Sequence, residues 1–187
     1  TVWLYNRFDC VVFSTAAHQA EWVEDDLTVP TRVISNGIDT DRYHPSDGTL
    51  EDIDERYGLP PHPRVLFVGR LAKDKEIDIM IRAMPNLWKS RQAHLLIVGR
   101  GEEREELGEL AADLGVGHCV HLMGYVPEED LPALYRASDL FGIVSTTEVQ
   151  SLPTLQAAAT GIPIIAADAM ALPELVHDCL LYTSDAA

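Results

Sequence analysis

Short apolar runs separated by polar, glycine-marked breaks recur along the second two-thirds of the chain. Residues 65–68, 94–98, 120–123, 140–144 and 162–167 each have the length and composition of a buried strand. Between them lie longer stretches with apolar residues at helical spacing. Over 76–90, Ile77, Ile81, Met84 and Trp88 recur every three to four positions and predict one buried helix face. Residues 102–114, closed by Gly115, and 127–137, with Pro127 in the first turn, read as two further helices, and 171–176 as a short one. Strands alternating with helices predict βαβ units with right-handed crossovers, hence a doubly wound, Rossmann-like parallel sheet of the α/β class. Ahead of this unit the pattern is weaker. A strand is expected at 8–13, a helix at 15–27 with Ser14 as its cap, and a strand at 32–35 ending in the Asn36-Gly37 turn. Residues 39–63 are polar and irregular, with one helical turn expected around 50–57.

The stretch 144–167 carries the most chemistry. It reads strand, acidic loop, helix, turn, strand. Glu148 falls in the loop at the strand's carboxyl end. Ser151 is a candidate N-cap, Pro153 fits the first turn, and Gly161 fits the C-cap. Open α/β sheets bind ligands at the carboxyl ends of their strands. A helix N-terminus there presents free N–H groups to an anion. A carboxylate able to grip hydroxyls beside a phosphate seat suits a sugar nucleotide, although an ordinary βα loop with a solvated Glu has the same pattern.

Other segments place charge and glycine at the same edge. Gly69-Arg70 directly follows the 65–68 strand, and Lys75 is read as opening the next helix; two cations there can clamp a diphosphate. Composition alone does not separate this from two solvated surface cations. Gly99-Arg100-Gly101 follows the next strand, but Arg104 occupies the place of the third glycine of a dinucleotide fingerprint, so NAD is not expected. These glycines are read instead as allowing close backbone approach. The seven histidines form no metal-binding spacing, and His118 and His121 are expected on opposite faces of a strand. No metal site and no serine nucleophile are expected.

Composition narrows the partners. The 187 residues carry 30 acidic against 14 basic side chains, a formal charge of −16. So acidic a chain is not a nucleic-acid binder, nor generally attracted to an anionic membrane. The three cysteines have no ligand spacing and fit reduced thiols in a cytoplasmic protein. The opening TVWLYNRFDC has no secretory features and no initiating Met, and the chain reads as a fragment.

Five motifs in order then carry a resemblance: VISNGIDTDRYHP (33–45), VLFVGRLAKDKEIDIMIRAMP (65–85), LLIVGRGEE (95–103), VHLMGYVPEEDLPALYRASDLFGIVS (120–145) and TEVQSLPTLQAAATGIPIIAADAMALPELV (147–176). Together they resemble the C-terminal, donor-binding half of a retaining glycosyltransferase of the GT-B fold, in the large family four. The resemblance implies four parts: a remnant of an N-terminal acceptor domain at 1–31, an interdomain linker at 32–63, a nucleotide-sugar-binding Rossmann-like domain at 64–178, and a tail at 179–187, CLLYTSDAA, foreign to the family. It implies that Arg70 and Lys75 bind the donor diphosphate and that Glu148, the first acid of the family's Glu, seven residues, Glu motif, holds sugar hydroxyls. It further implies that Gln150, Ser151 and Leu152 approach sugar and phosphate through their N–H groups. Tyr125 and Val126 would receive the base, with Gly69, Gly99 and Gly101 beside the nucleotide.

Two positions depart from the family. The second acid of the motif is Gln156, which can accept a ribose hydroxyl but carries no charge. The usual glycine after Lys75 is Glu76, an acid that would repel a diphosphate or point to solvent. The implied activity is sugar transfer from a UDP- or GDP-linked donor, used as substrate without a separate cofactor, to a lipid, glycan or small-molecule hydroxyl with retained configuration. The fragment alone is expected to be inactive. The implied location is cytoplasmic, with peripheral contact at the inner membrane face through the preceding domain. An inactive nucleotide-sugar-binding module and a sugar-nucleotide epimerase of the same fold are the alternatives.

Overall fold

A computed structural model describes residues 2–45 and 51–176. The tail at 179–187 and residues 46–50 of the linker lie outside them. The chain begins with α1 (Val2–Tyr5), β1 (Val11–Phe13), α2 (Ala16–Glu24) and β2 (Thr31–Val33). β1 and β2 pair in parallel as a separate two-stranded sheet. The strand expected at 8–13 is shorter because only Val11–Phe13 find a partner on β2. The helix expected at 15–27 stops at Glu24. Its N-cap is Thr15 rather than Ser14, and no side chain of its own caps it. A two-stranded sheet has little to bury against, and Val12, Val33 and Ile34 remain exposed.

The remaining elements are α3 (Glu51–Tyr57), β3 (Arg64–Val68), a 3₁₀ turn (Lys73–Lys75), α4 (Ile77–Arg91), β4 (His94–Val98), α5 (Arg104–Asp113) and β5 (Val120–Gly124). They continue with α6 (Leu131–Arg136), β6 (Leu140–Ile143), α7 (Leu152–Thr160), β7 (Ile164–Ala166) and α8 (Leu172–Leu175). β3 to β7 form one parallel sheet in the order β5-β4-β3-β6-β7. This is the expected doubly wound architecture. Alternation along the strands divides the core between the faces. Phe67, Leu95 and Ile97 pack with Ile77, Ile81, Met84, Leu107 and Ala111 of α4 and α5. Leu66, Leu96 and Phe141 pack with Leu134, Tyr135, Ala157 and Leu172 of α6, α7 and α8. The chain winds outward from β3 through β4 to β5, then crosses back to β6 and β7. The direction reverses between β3 and β6, and loops leaving that point open a crevice at the carboxyl edge.

Three local expectations are corrected. Residues 127–130 form a turn, with the Asp130 N–H on the Pro127 carbonyl at 3.0 Å, and α6 starts at Leu131 with Pro132 in its first turn. Lys75 does not open α4: it ends the 3₁₀ turn, and Glu76 separates the two at φ 50°. His118 and His121 do not diverge. His118 precedes β5, so strand alternation does not apply to it. Both rings gather near Trp88 and His94: Trp88 lies 4.5 Å from His118, and His94 5.2 Å from His121, between ring centroids.

α3 is strapped to the sheet by a buried charge. The Arg64 side chain is 4% exposed and donates to both Asp54 oxygens, at 2.7 and 3.0 Å, to the Ala137 carbonyl at 2.9 Å and to the Pro60 carbonyl at 2.6 Å. On the same helix the Tyr57 hydroxyl donates to Asp130 at 2.6 Å; burial and then this contact push its pKa up to about 12.

Candidate functional site

Three loops meet where the winding reverses. The first follows β3. Its Gly69 N–H bonds the Val98 carbonyl at 3.0 Å, and its Leu71 N–H bonds the Arg100 carbonyl at 2.9 Å. The second follows β4 and lies directly against the first. A Cβ on Gly99 would land on the Gly69 carbonyl, and one on Gly101 on the Leu71 backbone. Gly99 also sits at φ 144°, a region side chains avoid. The close approach expected of these glycines is therefore between two loops of the chain itself.

The third loop follows β6 and is tied to the 3₁₀ turn. The Asp74 carbonyl accepts the hydroxyls of Ser145 at 2.7 Å and Thr147 at 3.3 Å. Glu76 accepts the Thr146 N–H at 3.0 Å. Its carboxylate therefore braces the loop rather than simply pointing to solvent. The left-handed conformation at Glu76 is the kind of backbone a glycine adopts at no cost. Beyond the loop, Ser151 caps α7 by accepting the Thr154 N–H at 3.3 Å, and Gly161 ends the helix at φ 75°.

These loops carry the charges into one place. Lys75 Nζ lies 2.8 Å from Glu148 and 3.2 Å from Asp74, with Lys75 20% and Glu148 11% exposed. Arg70 pairs with Asp74 at 2.9 Å and reaches Glu102 at 3.8 Å. Burial works against the Lys75 ammonium, but Glu148 and then Asp74 outweigh it and hold its pKa above the ordinary lysine value. Burial opposes Asp74 ionisation in turn, and Lys75 and Arg70 together hold its carboxyl below the usual range. A cavity of about 270 Å³ opens here, lined by Gly69, Arg70, Lys75, Glu148, Gln150, Ser151, Leu152 and Pro153 among others. Its floor is the N-terminal turn of α7, so two cations and a helix N-terminus face one space. Another cavity, of about 300 Å³, lies between α4 and α5. Four acids, Glu76, Asp78, Glu103 and Glu106, outnumber the cations Lys73 and Arg82 in its lining, which suits an anion poorly.

Seven of the twelve residues singled out from sequence line the first cavity. Gly99 and Gly101 stand behind it as the support of the Gly69 loop. Tyr125 and Val126 follow β5, at the far edge of the sheet. Tyr125 is 60% exposed with the Arg100 guanidinium 4.9 Å from its ring centre, while the Val126 side chain is buried in the core. Gln156 is turned away from the cavity lining. Its amide oxygen accepts the Tyr135 hydroxyl and its nitrogen donates to the Tyr43 hydroxyl, each at 3.0 Å. Asp74, which bridges Arg70 and Lys75, was not anticipated. Its spacing of four from Arg70 is the one local signal that could have found it. Among the described residues no group of three or more His, Cys, Asp or Glu is placed to hold a metal ion, and no helix is long and apolar enough to cross a membrane.

Known proteins share this sequence pattern and fold. Residues 51–179 match the family described as glycosyl transferases group 1. The chain is 36% identical over 150 residues to the GDP-mannose-dependent alpha-(1-6)-phosphatidylinositol monomannoside mannosyltransferase of Mycolicibacterium smegmatis, covering 76% of this chain and 39% of that protein. It is 33% identical to the D-inositol 3-phosphate glycosyltransferase of Corynebacterium aurimucosum, over 94% of this chain and 44% of the relative. The chain thus spans less than half the length of these relatives. Among solved structures, Anabaena HepE in complex with UDP and glucose superposes with a TM-score of 0.85 at 28% identity, over 94% of this chain and 49% of that one.

Proposed function

The chain belongs to the group 1 glycosyl transferases, and on that premise we propose that it is the donor-binding half of a retaining hexosyltransferase of the GT-B fold. In this reading residues 64–178 bind the nucleotide sugar, 32–63 link the two domains, and 1–31 belong to a preceding acceptor domain. The supporting observation is the convergence of Arg70, Lys75 and Glu148 on one cavity at the reversal of the sheet, over the N-terminus of α7.

The chemistry follows from those groups. The donor diphosphate replaces the carboxylates that now hold Arg70 and Lys75, and its charge is met by two cations and the free N–H groups around Ser151 and Leu152. Negative charge grows on the diphosphate as the bond to the sugar breaks, so the same groups stabilise the transition state more than the ground state. Glu148 accepts sugar hydroxyls and fixes the ring for attack. The acceptor hydroxyl attacks from the face that the diphosphate leaves, which retains the configuration without an enzyme nucleophile. In this reading Tyr125 and the backbone of Val126 receive the base. The acceptor, a lipid, glycan or small metabolite, is bound mainly outside these residues, so this chain alone does not turn over. The intact protein works in the cytoplasm, touching the inner membrane face through its acceptor domain.

HepE is described with UDP and glucose, and the mycobacterial relative as dependent on GDP-mannose. Both bases therefore enter the test. Calorimetric titration of the folded chain with UDP and GDP should give saturable binding of one of them; binding of neither contradicts the proposal. One observation favours the inactive-module alternative, namely that Gln156 spends its amide on Tyr43 and Tyr135. Transfer by an intact protein carrying Gln156 would dispose of it.

A further inference from the structure

Hydrogen bonds joining residues 2–36 to the larger unit reach two places, the loop that carries Glu148 and the neighbouring α8. Thr15 is buried, and its hydroxyl donates to the Val149 carbonyl at 2.9 Å. Next to it, the bare N-terminus of α2 is capped from far along the chain: the N–H groups of Ala16 and Ala17 donate to Glu174, at 3.0 and 2.5 Å. The Gln150 amide accepts the Asn36 N–H at 2.8 Å and donates to Ser35 at 2.7 Å. The Glu148 carbonyl accepts the N–H of Ala171, which immediately precedes α8. Three consecutive loop residues are thus each held by a different segment. Glu174 lies on α8, one turn beyond Ala171, and grips the segment that holds Val149.

We infer that Glu174 is a positioning residue for Glu148: by capping α2 it seats Thr15 on the Val149 carbonyl and so sets where the Glu148 carboxylate stands in the cavity. A carboxylate accepting two N–H groups at a helix N-terminus makes charge-assisted bonds favoured by the helix dipole. No side chain of α2 replaces it. Without it, Thr15 loses its lateral support; Val149 then has no tie of its own, and its neighbours Glu148 and Gln150 keep theirs to Lys75, Ala171, Ser35 and Asn36. The consequence for sugar binding rests on the reading of Glu148 as the group that holds sugar hydroxyls; the consequence for the loop does not.

Two measurements test this on the whole chain. Amide hydrogen exchange needs no ligand. Glu174→Ala should speed exchange by about 10-fold or more at Ala16 and Ala17 and also at Ala171 and Asn36, whose N–H groups bond the Glu148 carbonyl and the Gln150 amide, with β3 and β4 unchanged. Acceleration confined to Ala16 and Ala17 overturns the inference. In titrations, Glu174→Ala should leave the Kd for the bare nucleotide diphosphate within about 2-fold, while the added affinity contributed by the sugar falls about 5-fold. Glu174→Gln, which keeps an acceptor, should restore part of it. Equal loss for bare and sugar-linked nucleotide marks a merely structural residue and also overturns the inference. If the wild-type chain binds no nucleotide, the donor reading fails, and the exchange result alone decides the role of Glu174.

Discussion

Lys75 Nζ stands 2.8 Å from Glu148 Oε1, bridging the loops that leave β3 and β6, 73 residues apart in the chain. Both side chains are largely buried, so neither charge is left to water. Removing one partner leaves the other desolvated and half-satisfied, whereas removing both does not. Lys75→Met should therefore cost about 1–3 kcal/mol in denaturant unfolding, and the Lys75→Met/Glu148→Gln pair less than the sum of the singles.

The contact between the first two loops leaves no room for a methyl group. Gly99→Ala meets the Gly69 carbonyl and is strained by its φ besides, and Gly101→Ala meets the Leu71 backbone. Either should destabilise the chain by about 2 kcal/mol or more in urea unfolding. Gly117→Ala, where a Cβ meets nothing within 4 Å, should be close to neutral.

Arg64 is the buried cation of the fold. Arg64→Ala deprives Asp54 of its partner, and Asp54→Ala leaves a guanidinium buried with carbonyls alone. Breaking such a pair should cost about 3 kcal/mol, with the Asp54 variant the more damaging because its orphan is the buried one. Thermal unfolding of both variants checks the order.

The histidine cluster makes stability depend on pH. His94 Nδ1 and His121 Nε2 lie 3.0 Å apart, so at least one ring must be neutral to accept. Burial holds both below the ordinary value of 6.5; the charges of His118 and Arg64 add to this for His94, and that of His94 for His121. Their protonated forms favour the unfolded chain. Stability is thus fully present above about 6.5 and falls as pH drops through that value. Urea midpoints should decline from pH 7.5 to 5.5, and His94→Gln should flatten the decline.

Much of the architecture was readable because β3, β4 and β6 are largely buried and α4 has a long, regular apolar face. Such patterns are local, and so are the caps Ser151 and Gly161. The start of α6 is ambiguous in sequence because Pro127 and Pro132 both suit a first turn and nothing local ranks them. The cap of α2 is not legible locally because its acceptor, Glu174, lies 158 residues away. The outlines of the site came from positions at strand ends, which the alternating pattern supplies. What Gln156 and Glu76 do was not readable, because each depends on partners brought in by the fold: Tyr43 and Tyr135 for one, the Thr146 N–H for the other.

The central claim is that Arg70 and Lys75 bind a diphosphate while Glu148 reads the sugar. Calorimetry with UDP and GDP, bare and sugar-linked, on the wild-type, Arg70→Ala and Glu148→Gln chains tests it most directly. Arg70→Ala should weaken bare and sugar-linked nucleotide alike, by about 10-fold, the worth of a charge-assisted bond. Glu148→Gln should weaken the sugar-linked form alone, and freeing Lys75 should leave the bare nucleotide bound as well or better. An Arg70→Ala chain that binds as wild type, or a Glu148→Gln chain that loses both forms equally, would contradict the account.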